Sequence, residues 1–373
     1  MRALVCAALG DPTLPPGAPG AALELRELPT PALGDKDALI RVAAAALNFA
    51  DALVVQGCVR RCLRVKHVAA SPRQRSRRRL PRSKYQEKPK LPFVPGGEVS
   101  GTVAAVGAAV RGLAPGDAVL AVLPRFGGFA EEVKAAASDC FKLPPGLELV
   151  PAAGLAVAYG TAHVALDHRC GVRDGSTVLV LGAAGGVGLA AVQVAKALGA
   201  RVAAVARGPA KAAALRAEGA DVVIDADAVD AKRGGLKAAL QAADSNFAPK
   251  GVDCVFDPVG GSALGDAMKC LAWGGHIALI GFASGDIPKL PANVLLVKNI
   301  TAHGIYWGSY AAHRPRVLRD SLAQLAAWAA QGMLRVRVSH AVPMAQAQEA
   351  FGALLRREAI GKVVLTMGPT PRL

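Results

Sequence analysis

Residues 177–188, Thr-Val-Leu-Val-Leu-Gly-Ala-Ala-Gly-Gly-Val-Gly, restrict this chain more than any other stretch. An apolar strand runs into a glycine-rich turn, and the turn opens a helix whose first residues are small. Such a turn aims the unpaired N–H groups at the start of the helix, together with the positive end of its dipole, at whatever sits there, and a pyrophosphate fits best. The spacing G-x-G-x-x-G appears as Ala183-x-Gly185-x-x-Gly188, with Gly182 one place earlier. Gly185 still permits close approach of the backbone to a ligand and Gly188 close packing of helix on strand, so Ala183, Gly185, Gly186, Val187 and Gly188 form the candidate dinucleotide cradle. Strand-like and helix-like segments then alternate at 187–198, 201–206, 209–218, 222–224, 252–257 and 275–281. That alternation predicts an α/β fold with a doubly wound parallel sheet.

The end of the second strand separates the two nicotinamide cofactors. A ribose 2′-hydroxyl calls for an acid about 20 residues beyond the glycines, whereas a 2′-phosphate calls for cations. The strand 201–206 runs into Arg207-Gly-Pro-Ala-Lys211, and the first acid beyond it is Glu218, well down the helix. NADPH is the expected cofactor, with Arg207 and Lys211 on its 2′-phosphate; the alternative is that both are solvated residues at a helix start.

Before residue 150 the pattern changes to short β-like runs at 3–7, 38–43, 101–106 and 118–122, broken by Gly/Pro turns. The tail predicts a helix over 318–330, a strand over 335–340, a helix over 345–355 and a last strand over 362–366. A chain of 373 residues predicts two domains, and 52% hydrophobic residues exclude a disordered chain. No apolar run approaches the roughly 20 residues of a membrane span. Seven scattered cysteines without a CxxC pair exclude a disulfide framework and a zinc knuckle. No leader is legible, so the cytoplasm is the default compartment; the C-terminal Pro-Arg-Leu, a loose relative of the peroxisomal Ser-Lys-Leu, leaves peroxisome and mitochondrion open.

The net charge of +16 is local. Residues 58–83 hold ten Lys and Arg and no acid, so ten of the sixteen excess charges lie in one segment, expected to be a solvated, disordered loop rather than part of the fold.

Taken in order, Asn48-Phe-Ala-Asp51, Tyr85-Gln-Glu-Lys-Pro, Pro92-Phe-Val-Pro-Gly-Gly-Glu98, Pro115-Gly-Asp117, Tyr159-Gly-Thr161, the glycine turn, Asp257-Pro-Val-Gly-Gly261, Lys298-Asn-Ile and Trp307-Gly-Ser-Tyr310 resemble the zinc-free quinone oxidoreductases of the medium-chain dehydrogenase/reductase superfamily. The resemblance implies a GroES-like, mostly β catalytic domain at 1–150, a Rossmann domain at 151–297, and a segment 298–373 that supplies the last nucleotide-domain strand and returns to the catalytic domain. Zinc-dependent relatives carry a Cys where this chain has Asn48, a His where it has Gly97, and a Cys near Ala158-Tyr159. Without thiolate or imidazole there, no tetrahedral zinc site is expected, and no other metal. The resemblance further implies hydride transfer to quinones or α,β-unsaturated carbonyls. Asn48 and Tyr85 would stabilise charge on the substrate oxygen, Thr161 would contact the nicotinamide or its ribose, and Gly281 and Phe282 would flank the ring. A turn-forming Asn and a core Tyr are the plainer readings of the first two. His163 and His303 are read as packed residues outside the mechanism.

Removing 58–83 restores a continuous family pattern across Gly57 and Lys84, so the segment is a clean insertion: a retained intron or mistaken gene model, a solvent loop, or a basic arm. The basic arm supports a second reading, a non-catalytic NADPH-binding protein that holds RNA or another polyanion. The resemblance also implies a homodimer joined through 299–305.

Overall fold

The computed structural model describes residues 1–57, 89–229 and 235–368. Tyr85 and the insertion 58–83 lie outside the described residues. Among the described residues, fifteen strands form three sheets. A two-stranded ribbon pairs β1 (Arg2–Cys6) with β2 (Leu23–Glu27). A second sheet gathers β3 (Asp37–Leu47), β4 (Glu98–Val106), β5 (Ala118–Val122), β6 (Glu132–Ala136) and β7 (Cys140–Lys142). The third contains β8 (Thr177–Val180), β9 (Arg201–Ala206), β10 (Val222–Asp225), β11 (Val252–Asp257), β12 (Leu271–Leu279) and β13 (Thr301–Gly304). The chain then returns to the second sheet with β14 (Val338–Pro343) and β15 (Lys362–Thr366).

The third sheet is parallel throughout, in the order β10-β9-β8-β11-β12-β13. Its order reverses between β8 and β11, and in such sheets ligands bind in the crevice beyond the carboxyl ends of the strands at that reversal. The expected α/β class with a doubly wound sheet is therefore present. Strands buried on both faces read as unbroken apolar runs, as Val178, Leu179 and Val180 do, all fully buried. The helix Gly186–Ala197 buries Gly188, Ala190, Ala191 and Ala195 toward the sheet, and these small residues let it lie close.

The second sheet runs β14-β15-β3-β4-β5-β7, with β6 also on β3. Its core contains Ile40, Leu47, Val99, Phe129 and Phe351. The two halves of the chain are linked by a helical stretch that winds as π-helix over Leu155–Tyr159 and Val164–Arg169, around one α-turn at Gly160–His163.

Several expected bounds shift: β3 and β4 run beyond 38–43 and 101–106, the helix expected from 318 starts at Pro315, and two further strands start elsewhere. The strand expected at 335–340 begins at Val338, because the backbone of Arg335 is held sideways: its N–H donates to Gln193 Oε1 at 3.0 Å and its carbonyl accepts from Gln193 Nε2 at 2.8 Å. The strand expected from residue 275 begins at Leu271, since Gly274 and Gly275 lie in a register irregularity within β12 rather than at its start. No helix among the described residues is long and apolar enough to cross a membrane.

Candidate functional site

The glycine turn sits at the carboxyl end of β8, tied to both neighbouring strands. Leu181 N–H donates to Phe256 O at 3.0 Å and Ala183 N–H to Val205 O at 2.9 Å. Gly182 takes the positive φ of 57° that closes the turn. At Gly188 a Cβ would lie 2.3 Å from Gly182 O, so only glycine fits. At Gly185 it would meet nothing nearer than 3.5 Å, so the turn is open on the side a ligand would approach. Gly185 is the N-cap of the following helix and no side chain caps it among the described residues, which leaves the first N–H groups, those of Gly186, Val187 and Gly188, without intrahelical partners. Beside the turn, at the end of β11, Asp257 Oδ1 accepts from the N–H groups of Val259 and Gly260 at 2.7 and 2.9 Å. Its Oδ2 is buried without a partner, and burial raises its pKa. The open turn and its unpaired N–H groups, rather than Asp257, fit a dinucleotide phosphate.

Asn48 follows β3 and precedes the helix Phe49–Val55. Its carboxamide lies in a buried charge cluster. Asn48 Nδ2 donates to Glu98 Oε1 at 2.8 Å, and Lys362 Nζ donates to Asn48 Oδ1 at 2.7 Å and to Glu98 Oε1 at 3.1 Å. Glu98 Oε2 accepts from the N–H of Val157 at 2.7 Å, in the π-helical stretch four residues before Thr161. Asp51 Oδ2 accepts from the Asn48 N–H at 2.8 Å. Glu98, Asp51 and Lys362 are 0%, 2% and 3% exposed; the ammonium pairs with Glu98 at 3.1 Å, and Asp51 feels its charge without a direct bond to it. Burial pushes the Asp51 carboxyl up to about 7; the N–H of Asn48 and the charge of Lys362 pull it down, and Glu98 pushes it up again.

Lys362 also joins this cluster to the glycine turn. Gly361 N–H donates to Ala184 O at 2.9 Å, and a Cβ on Gly186 would lie 3.1 Å from Lys362 Cδ. The structure therefore brings Asn48 and the cradle Ala183–Gly188 together around one residue that sequence reading did not single out. Its only signal was its place in an apolar terminal strand, where a lysine is out of pattern. Glu98 and Asp51 were legible only as letters of motifs.

Of the other expected residues, those that are described lie just past the carboxyl ends of β9 and β12 or in the linking helical stretch. Thr161 is buried in the one-turn helix Gly160–His163. Gly281 and Phe282 follow the carboxyl end of β12, and Phe282 packs so closely on Gly260 that a Cβ there would come within 2.8 Å of its ring. Arg207 is exposed and pairs with Asp227 at 3.4 Å, while Lys211 reaches across to the carbonyl of Arg357 at 2.7 Å. Arg357 itself donates to Ala283 O at 3.2 Å, a third cation at this edge that sequence reading missed. Glu218, the first acid beyond the turn, is occupied by Gln193 and Arg337; the acids beside Arg207 come instead from the end of β10, Asp225 and Asp227.

His163 is packed, with Nδ1 3.0 Å from Ser321 Oγ and its ring edge-on to Trp328. His303 is not a core residue: it stacks on His276 at the sheet edge, 3.0 Å between ring nitrogens, and burial and that neighbour lower its pKa. Burial holds the thiols of Cys6 and Cys270 at about 11, so neither is a nucleophile at neutral pH. A cavity of about 700 Å³ lined by Arg41, Thr102, Glu131 and Thr366 contains none of the residues above. Zinc does not suit the donors around Asn48, where an ammonium stands within hydrogen-bond distance of the amide and the carboxylate; no three His, Cys, Asp or Glu side chains converge elsewhere among the described residues.

Residues 34–145 match the family model of the alcohol dehydrogenase GroES-like domain, and residues 186–328 that of the zinc-binding dehydrogenases. The chain is 36% identical over 366 residues to a quinone oxidoreductase-like protein 2 homolog of Nematostella vectensis, covering 98% of this chain and 88% of that one. Among solved structures it is similar to a probable oxidoreductase from Mycobacterium abscessus (31% identity, 98% of each chain, TM-score 0.78). It is also similar to a mycobacterial protein solved in complex with NADPH (29% identity, 98% of this chain and 99% of that one, TM-score 0.79).

Proposed function

Since the chain belongs to the quinone oxidoreductase family of the medium-chain dehydrogenase/reductase superfamily, we propose that it is an NADPH-dependent, zinc-independent reductase of quinones or α,β-unsaturated carbonyls. The observation that carries this reading is the amide of Asn48, fixed in a buried cluster that is tied to an open dinucleotide turn through Gly361 and Lys362.

NADPH, when bound, supplies a hydride. The chain's own part is to hold the phosphates on the N–H groups of Gly186 and Val187, to set the substrate carbonyl against Asn48 Nδ2, and to stabilise the negative charge that grows on that oxygen. An amide donor suits an acceptor that is already electron-poor. Tyr85 remains the proposed proton donor, with water as the alternative. Thr161, Gly281 and Phe282 are proposed to flank the nicotinamide, and Arg207 and Lys211 to hold the 2′-phosphate. The exposed Arg207–Asp227 pair is worth about 0–1 kcal/mol, too little to keep Arg207 from a phosphate.

The cytoplasm is proposed as the compartment, which the free, buried thiols of the described cysteines support. A homodimer is proposed through β13, the last strand in the order of the parallel sheet; in the helix that precedes it in the chain, Leu296 and Val297 are 78% and 71% exposed. The decisive assay follows NADPH oxidation by purified protein with a panel of small quinones and enones. Tight NADPH binding without turnover on any of them would overturn the proposal.

A further inference from the structure

An asparagine amide can act on a substrate oxygen only if its N–H end faces the cleft, and a free amide can turn over. Around Asn48 the neighbours allow one orientation. Lys362 carries only donors, and an ionised Glu98 carries only acceptors. The observed arrangement, Oδ1 against the ammonium at 2.7 Å and Nδ2 against the carboxylate at 2.8 Å, satisfies both. Turning the amide over would set NH2 against an ammonium and a carbonyl against a carboxylate in a place that excludes water. One Nδ2 hydrogen then goes to Glu98, and the other is held in a fixed direction on a residue that is itself only half-buried.

The lysine is seated as firmly as the amide. Its stem runs between two glycines: a Cβ on Gly154 would come within 2.9 Å of Lys362 Cγ, and one on Gly186 within 3.1 Å of its Cδ. Gly361, just before it, has a φ of 88°, and a Cβ there would lie 2.4 Å from Arg337 O. Two glycines from separate parts of the chain thus leave room for the lysine stem, and a third, Gly361, lets the backbone that carries it pass against Arg337.

We infer that Lys362 and Glu98 are positioning residues, which lock the carboxamide of Asn48 so that an Nδ2–H is presented to the substrate oxygen. Neither touches substrate; both act through Asn48. The inference rests on the proposed role of Asn48, and the experiment separates the two.

The test is a double-mutant cycle on the full chain with Asn48→Ala, Lys362→Met and the two together, read as kcat and KM with NADPH and 1,4-naphthoquinone, and as NADPH dissociation constant by fluorescence. Lys362→Met keeps the stem and removes the ammonium. The expected result is a fall in kcat of roughly tenfold or more, with the NADPH dissociation constant within about twofold. In the Asn48→Ala background the same substitution should lower kcat by less than about twofold, since a residue that acts through Asn48 has nothing left to position. A merely structural lysine would instead multiply its loss onto that of Asn48→Ala and weaken NADPH binding. Because Lys362→Met strands Glu98 as a buried unpaired carboxylate, the charge-balanced Lys362→Met/Glu98→Gln variant runs in the same cycle and serves if the single variant does not fold. If Asn48→Ala slows turnover but the lysine variants do not, or if the losses multiply, the positioning role is overturned and the role of Asn48 stands. If Asn48→Ala turns over as the unaltered protein does, or if the unaltered protein reduces no quinone, the role of Asn48 falls and the inference falls with it.

Discussion

Replacing Asp51 by Asn should make this protein more stable at alkaline pH and nearly indifferent at acid pH. The carboxyl is raised from 3.8 to about 7, chiefly by burial. Between those values the folded chain holds a proton that the unfolded chain releases, so stability falls as pH rises through that window, and above about 7 the whole cost of burying the charge is present. At about 1.36 kcal/mol per unit, a shift of this size corresponds to about 4 kcal/mol, of which about 2 kcal/mol accrues between roughly pH 5.5 and pH 8. Asparagine keeps an oxygen to accept the N–H of Asn48 and has nothing to ionise. Urea unfolding of both proteins at those two pH values measures the effect directly: the variant's advantage should grow by about 2 kcal/mol from the lower to the higher pH. Parallel stability curves, or a variant less stable at the higher pH, would refute the claim that burial keeps the Asp51 carboxyl protonated into the neutral range.

Gly188→Ala should weaken NADPH binding by at least about tenfold in a fluorescence titration, because a Cβ 2.3 Å from Gly182 O forces the turn open. NADPH should be preferred over NADH by more than about tenfold at low salt, and Arg207→Ala with Lys211→Ala should erode that preference while leaving NADH affinity nearly unchanged; equal affinities in the unaltered protein would show that these cations serve only the surface. Sedimentation at micromolar concentration should show a dimer of the 38.0 kDa chain, and Leu296→Glu with Val297→Glu should shift it to monomer; a 38.0 kDa species alone in the unaltered protein would remove β13 as an interface.

What was legible in the sequence was local. The strands β5, β9, β11 and β15 coincide with their apolar runs, and the glycine turn closes where its spacing put it. Turn chemistry and periodicity act over a few residues, and a single chain displays them openly. Lys362 was not legible because its partner Asn48 is 314 positions away, and nothing in either neighbourhood announces the other. Glu98 is 50 positions from Asn48 and meets it only because β3 and β4 pair. The segment before β14 misled for a related reason: Arg335 has the look of a strand residue, but its backbone bonds go to the side chain of Gln193, 142 positions earlier. The carboxylates beside Arg207 were missed in the same way, since they arrive from β10, the neighbour of β9 in the sheet.

The pairing of β15 with β3 also sets an order of assembly. The strands of the parallel sheet all fall between residues 177 and 304, so that sheet can close while residues 338–366 are still being synthesised. The antiparallel sheet cannot. Until residues 363–366 emerge and pair with 44–47, the second half of β3, beyond the stretch that β6 covers, has an open edge whose side chains, Ala44 to Leu47, are meant for the interior. Chain growth thus leaves an apolar edge exposed while more than 300 further residues are made, from 44–47 to 363–366, the condition under which unpaired strands find other chains. Nascent chains halted before residue 361 should yield a protease-resistant 177–304 block and a digestible N-terminal half, since residues 363–366 decide whether the first sheet begun is ever finished.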